Sequence, residues 1–239
     1  MKQQLRLDKF LANMGIGTRT EVKQYIRKGL VSINNETVKK ADCKVNTETD
    51  TVCYNNQVVS YVNYEYYILN KPAGVISATE DKKDTTVIDL IKDKKRKDLF
   101  PVGRLDKDTE GLLIITNDGK LNHNLLSPKK HVKKVYYAKI DGCVTEEDRV
   151  KFKEGIILED GYKCLPSDLK INVSDTLSEI ELTLYEGKFH QVKRMFEAVD
   201  KKVMYLKRIQ MGNLKIDKTL EIGQYRPLTE KELALLEDS

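Results

Sequence analysis

The stretch "GRLDKDTEGLLIITNDG", residues 103–119, constrains the fold more than any other part of the chain. Its second half, "LLIIT", is an unbroken apolar run between a glycine and Asn117-Asp118-Gly119, which reads as a buried strand followed by a turn. Its first half sets Asp106, Asp108 and Glu110 at alternate positions in a chain of formal charge +5. Three readings of those carboxylates compete: a calcium loop, groups that carry chemistry, and an acidic turn ahead of a strand.

An EF-hand loop takes oxygen ligands at positions one, three and five, glycine at six and a bidentate glutamate at twelve. Counting from Asp106 brings Asp108, Glu110 and Gly111 into register, but the twelfth position is Asn117, which has no carboxylate. "LFPVGR" holds a proline and a glycine where the entering helix should be, and a strand follows where the exiting helix should be. The calcium reading fails. The acidic-turn reading accounts for "LLIITNDG" and for Asp118. It leaves Arg104 and Asp106 unexplained, on a glycine-anchored segment before a strand long enough to be central in a sheet. A carboxylate at such an edge is rigidly held, which suits catalysis.

The 239 residues are 40% hydrophobic and 33% charged, enough for one large domain or two small ones. No apolar run approaches the ~20 residues of a membrane span. The start, "MKQQLRLDKFLANMG", reads as an amphipathic helix without the apolar core of a signal peptide. Cys43, Cys53, Cys143 and Cys164 lack C-x-x-C spacing and only three histidines are present, so no metal site is expected and the cysteines read as reduced, cytoplasmic thiols. Residues 1–50 hold ten Lys and Arg against six Asp and Glu, whereas the remainder holds 32 against 31. A basic piece on a nearly neutral body suggests a polyanion-binding module.

Within that piece, Leu7, Phe10, Leu11 and Met14 fall at helical spacing before Gly15 and Gly17. "TRTEVKQYIRKG" opens a second helix with Thr18 and Glu21 at capping-box spacing and closes it at Gly29. Val22 and Ile26 form its apolar stripe, and Arg19, Lys23 and Arg27 stack beside them. "LVSINNETV" then reads as two short strands about Asn34-Asn35. Residues 5–34 resemble the RNA-binding module of small-subunit ribosomal protein S-four. Such a module reads RNA shape and phosphate, with Arg19, Lys23 and Arg27 as its contacts.

The sparse apolar content of residues 47–63 sets an expected domain boundary near 60, giving domains 1–60 and 61–239. Beyond it, "EYYILNKPAGVIS" reads as a strand ended by a turn, and "TTVIDLIKDKKRKDLF" as a helix whose lysine-rich end, 92–97, is a solvated end or loop. "LSEIELTLYEG" alternates as a half-buried strand, "HQVKRMFEAV" puts Val192, Met195, Phe196 and Val199 on one helical face, and "LTEKELALLE" opens a last helix with Thr229 and Glu232. The expected fold class is α+β, with a mostly antiparallel sheet and flanking helices.

"GRLDKDTEGLLIITNDG" resembles the active-site motif of the pseudouridine synthases, in the branch containing the small-subunit ribosomal RNA enzyme. "LNKPAGV" (69–75), "SPKKHVKKVYYAKI" (127–140), "EGKFHQVKRMFEAV" (186–199) and "GQYRPLTEKEL" (223–233) fit the same branch in order. The resemblance implies an enzyme that detaches uracil from its ribose, turns it and rejoins it through carbon five, without cofactor or metal. It implies Asp106 as the catalytic aspartate, acting either on the anomeric carbon or on a ribose proton. Either role needs an ionised carboxylate shielded from water; desolvation opposes that, so a cation must sit nearby. Lys193 takes that position, with Arg194 the alternative; the family often has arginine there.

By the same resemblance Tyr136 is the active-site tyrosine, stacking on the base and relaying the proton of carbon five. Tyr137 falls on the opposite face of the strand. Val192 matches an aliphatic position that sandwiches the base, and Arg104 one that holds the nucleotide extruded from its helix. Lys71, Lys129, Lys130, Lys133 and Lys134 are candidate phosphate contacts, and His190 a positioning contact. Asp200 stands where the branch usually has glycine, so a left-handed backbone is expected there. The implied partner is 16S ribosomal RNA or the assembling small subunit, modified at uridine 516, the branch's usual site, by a cytoplasmic monomer. The rival readings are a 23S ribosomal RNA enzyme and a non-catalytic RNA-binding assembly factor.

Overall fold

The computed structural model describes residues 4–239, which divide into two compact units. One runs to Glu65 and includes Lys92–Leu99; the other comprises Tyr66–Ile91 and Phe100–Ser239.

In the first unit the helices Leu7–Asn13 and Arg19–Arg27 turn Leu7, Phe10, Leu11, Val22 and Ile26 onto Val31, Val45 and Val52, all at most 1% exposed. Each such burial is worth about 1.5–3 kcal/mol. The amide of Thr18 donates to Glu21 Oε2 at 2.8 Å and Thr18 Oγ1 accepts from the Glu21 amide at 3.3 Å, completing the capping box. Arg19, Lys23 and Arg27 are exposed. Val31–Ile33 and Glu36–Thr37 pair about Asn34 and Asn35, whose φ values of 50° and 69° are the left-handed pair a two-residue hairpin needs.

Two of the expected helices change. The first helix begins at Leu7; Gln4–Arg6 is a strand paired with Lys44–Asn46, and residues 1–3 of the expected helix lie outside the described residues. The segment 47–63 contributes a second hairpin, Val52–Tyr54 with Gln57–Val58, to the sheet of this unit, and Tyr61 packs on Phe10 with centroids 4.9 Å apart. The helix expected over 85–100 does not form. Val87, Ile88 and Ile91 are buried at helical spacing, but in a short turn stabilised by the Thr86 amide donating to Asp89. The chain then leaves helical geometry because the amides of Lys95 and Arg96 both donate to the Glu65 carboxylate. Arg96 is only 4% exposed; its guanidinium donates to Val62 O and Asp98 and lies over the Tyr61 ring at 5.2 Å. The lysine-rich segment is thus no solvated helix end: one of its cations is a buried anchor.

The second unit is built on a mixed sheet whose strands run in the spatial order Asp168–Val173, Leu177–Leu184, Lys134–Asp141, Lys202–Met211, Glu110–Thr116, Tyr66–Lys71, Tyr225–Pro227. Every neighbouring pair in that order is antiparallel except Lys202–Met211 against Glu110–Thr116, which run parallel. Gly111 to Thr116 are all buried, as expected for a central strand. One core joins the helices Glu146–Glu154 and Gln191–Glu197 to the sheet through Phe152, Met195, Phe196, Ile180 and Leu182; another joins Gly119–Leu126 and Glu230–Glu237 through Leu121, Leu125, Leu236, Ile68 and Ile114. Asp200 has φ 59°, the left-handed turn anticipated after the helix. Among the described residues, no helix is long and apolar enough to cross a membrane.

Candidate active site

Gly111, second in the central strand, lies beside Arg208, and its φ is 101°. A Cβ there would stand 2.3 Å from Arg208 O, so the parallel pairing that carries the acidic loop admits only glycine. The backbone of the loop ahead of it is itself pinned by hydrogen bonds. Ser77 Oγ donates to Leu105 O at 2.8 Å and accepts from the Leu105 amide at 3.0 Å. The Gly74 amide donates to Lys107 O at 2.8 Å, and the Thr109 amide to Asp106 O at 3.1 Å.

Beneath the loop lies Lys71, 0% exposed, its ammonium donating to the carbonyls of Pro72, Asp106, Lys107 and Thr109 at 3.0, 3.1, 3.3 and 2.8 Å. Burial pushes this ammonium down to about 8, against the pull of Asp108, Asp106 and Glu110. Lys71 is therefore not a phosphate contact but the cation around which the motif folds. Lys134 is likewise buried, donating to Val132 O, and burial together with the Arg208 cation brings it to about 8. It too drops out of the phosphate-binding candidates. Lys129 and Lys130 are exposed and Lys133 is half-buried.

With its backbone fixed, Asp106 offers a carboxylate 25% exposed. Lys193 Nζ lies 3.5 Å from Asp106 Oδ2, and His190 Nε2 lies 3.7 Å from Asp106 Oδ1. His190 immediately precedes the helix Gln191–Glu197 and Lys193 lies in its first turn, and this start of the helix is fastened by its own hydrogen bonds. Glu186 accepts from the Gln191 side chain at 2.7 Å, from the Tyr162 hydroxyl at 2.6 Å and from the Leu165 amide at 2.9 Å, and the Lys188 amide donates to Gln191 Oε1 at 2.9 Å. His190 adopts φ 49°, turning the chain sharply into the helix.

Asp108 takes the shorter bonds to the same lysine: 2.7 and 2.8 Å from Lys193 Nζ to its two oxygens. Burial works against its ionisation, but the Lys193 hydrogen bond and charge prevail and hold its carboxyl below the usual range. Lys193 is thus shared between two carboxylates two residues apart. Glu110 is occupied separately, accepting from the Tyr205 hydroxyl at 2.6 Å. Arg194, the alternative cation, pairs instead with Asp160. Among the described residues, no group of three or more His, Cys, Asp or Glu is arranged to hold a metal ion.

Tyr136 and Val192 belong to one apolar cluster, Val192 being 4% exposed on the helix that carries Lys193 and Tyr136 half-buried on the strand Lys134–Asp141. Tyr137, next along the strand, packs edge-on against Tyr205 at 6.1 Å; burial and the Glu179 carboxylate push its phenol up to about 12. Arg104 is exposed and has no partner among the described residues.

A carboxylate on a backbone-fixed loop ahead of the central strand, a shared lysine beside it and an aromatic–aliphatic cluster on the strand Lys134–Asp141 and the helix Gln191–Glu197 agree with the likenesses of the chain. The sequence profile of RNA pseudouridylate synthase matches residues 65–198, and that of the S4 domain residues 5–52. The chain is 46% identical to the Bacillus subtilis protein called uncharacterized RNA pseudouridine synthase YtzG, covering 98% of this chain and 99% of that one. It is 36% identical to ribosomal small subunit pseudouridine synthase A of Haemophilus influenzae (97% and 99%) and 35% identical to that of Escherichia coli (96% and 99%). A crystal structure of a pseudouridylate synthase superposes with a TM-score of 0.68 at 36% identity over 97% of this chain and 99% of that one. This chain belongs to the RNA pseudouridine synthase family, with an S4 domain at its N-terminal end.

Proposed function

We propose that this enzyme isomerises a uridine of 16S ribosomal RNA, uridine 516, in the free RNA or the assembling small subunit, and that it works as a cytoplasmic monomer with Asp106 as its catalytic residue. The reaction breaks the bond from N1 of uracil to C1′ of ribose and forms one from C5 to C1′; the proton leaves C5 and N1 gains one. A carboxylate that attacks C1′ or removes a ribose proton must be charged. Lys193 at 3.5 Å supplies the opposing cation without neutralising it through a short bond, because Asp108 holds the ammonium closer. That arrangement around a backbone-locked Asp106 is the observation that carries the reading.

Tyr136 stacks on the uracil and relays the C5 proton, and Val192 closes the other side of the base. Arg104, exposed and without a partner, fills the space the extruded nucleotide leaves and meets its phosphate. Residues 1–60, with Arg19, Lys23 and Arg27 outward, bind RNA backbone rather than base sequence. The small-subunit substrate is supported by the relatives of that name at 35–36% identity over nearly the full length.

Release of tritium from C5-labelled uridine tests the reading. Wild type should release label from 16S RNA or its assembling particle and not from 23S RNA, and Asp106→Asn should release none. Release from 23S RNA alone overturns the proposed substrate; full activity of Asp106→Asn overturns the assignment of Asp106.

A further inference from the structure

Phe189 is 74% exposed, on a segment otherwise tied down by hydrogen bonds. A single exposed aromatic on a surface is ordinary. This one is oriented: its ring lies on that of His190 with centroids 3.8 Å apart and planes 18° from parallel. The Nε2 of His190 is in turn 3.7 Å from Asp106 Oδ1. The two rings form a flat stack that starts at the catalytic carboxylate and ends in solvent, with the outer face of Phe189 open. Gln191 and Glu186 lock the segment, so the platform is held in place before any ligand arrives.

We infer that Phe189 is a stacking platform for the unpaired base next to the reacting uridine in the RNA strand. This rests on the catalytic role proposed for Asp106. Extruding a nucleotide breaks its stacking with its neighbours, and an aromatic face beside the carboxylate replaces that stacking for one of them. Every base has a π-face, so such a platform is tolerant of sequence. Lys193 and the outward Arg104 supply positive charge for the backbone of the same strand, and the apolar ring takes the base.

The chain contains no tryptophan, so Phe189→Trp places its only indole on the platform. Its emission is titrated with single-stranded oligoadenylate and with an abasic ribose-phosphate oligomer of equal length. Quenching by oligoadenylate and none by the abasic oligomer is expected. Phe189→Leu, which keeps an apolar cover on His190 but cannot stack, should bind oligoadenylate about 5- to 100-fold more weakly than wild type and the abasic oligomer equally well. Equal emission with both oligomers, or Phe189→Leu binding oligoadenylate as wild type does, overturns the inference. Tritium release by wild type and by Asp106→Asn distinguishes the two failures: release that Asp106→Asn abolishes, without base-dependent quenching, removes the platform and leaves Asp106 its role.

Discussion

Replacing Lys71 by methionine isolates the element that shapes the active-site loop. The side chain keeps its length and loses its charge; the Asp106 and Lys107 carbonyls keep the amides of Thr109 and Gly74, while those of Pro72 and Thr109 lose the ammonium that serves them. At about 3 kcal/mol for each of these two acceptors of a charge-assisted bond, the loss is about 6 kcal/mol. The variant recovers about 3 kcal/mol, because the ammonium that burial lowers from 10.5 to about 8 is no longer desolvated. The balance is a loss of about 3 kcal/mol, or a fall in Tm of about 6–12 °C. The pH dependence carries a second signature. With the folded pKa below the unfolded one, wild type gains stability as pH rises from about 8 to 10.5, where the unfolded chain still holds the proton. The variant lacks that gain. Because Lys71 bonds the carbonyl of Asp106 itself, a shift of the carboxylate by about 1 Å should lower kcat about 100-fold below the melting transition. Thermal melts between pH 7 and 10.5 and tritium-release kinetics measure all three. A variant that melts within about 2 °C of wild type and turns over at more than half its rate refutes the role given to Lys71.

Asp108→Asn removes the shorter partner of Lys193 and lets the ammonium close on Asp106, so tritium release should slow; an unchanged rate would show that the two carboxylates do not compete for the lysine. Arg226 donates to Asp217 at 2.7 Å and to Glu232 at 2.8 Å; the hydrogen bonds of Thr219 and then Arg226 pull the Asp217 carboxyl down to about 2, and that of Arg226 does the same for Glu232. Their contribution is present above pH 4.5 and is lost as pH falls toward 2. Arg226→Met should therefore cost about 2 kcal/mol through Glu232 at neutral pH, after solvent screening, and nothing at pH 2; melts that differ equally at both pH values would contradict this.

Much of this molecule is local. The capping boxes at Thr18 and Thr229, the Asn34-Asn35 hairpin, the alternating strand Leu177–Leu184 and the left-handed Asp200 follow from residues within a few positions of one another, so the sequence by itself determined them. The buried run after Gly111 and the glycine itself marked the strand that carries the acidic loop. What the sequence left undetermined was decided by partners far away along the chain. Glu65 captures amides thirty residues on, and the turn at 85–91 cannot extend as a helix. Lys71 and Lys134 look like any other cations in a basic protein until folding encloses them with carbonyls. Asp108 and Lys193 stand 85 positions apart, and only the packing of the helix Gln191–Glu197 against the sheet makes one ammonium serve two carboxylates. Charge and periodicity are written residue by residue, whereas desolvation and the choice of a partner exist only once the chain has closed on itself.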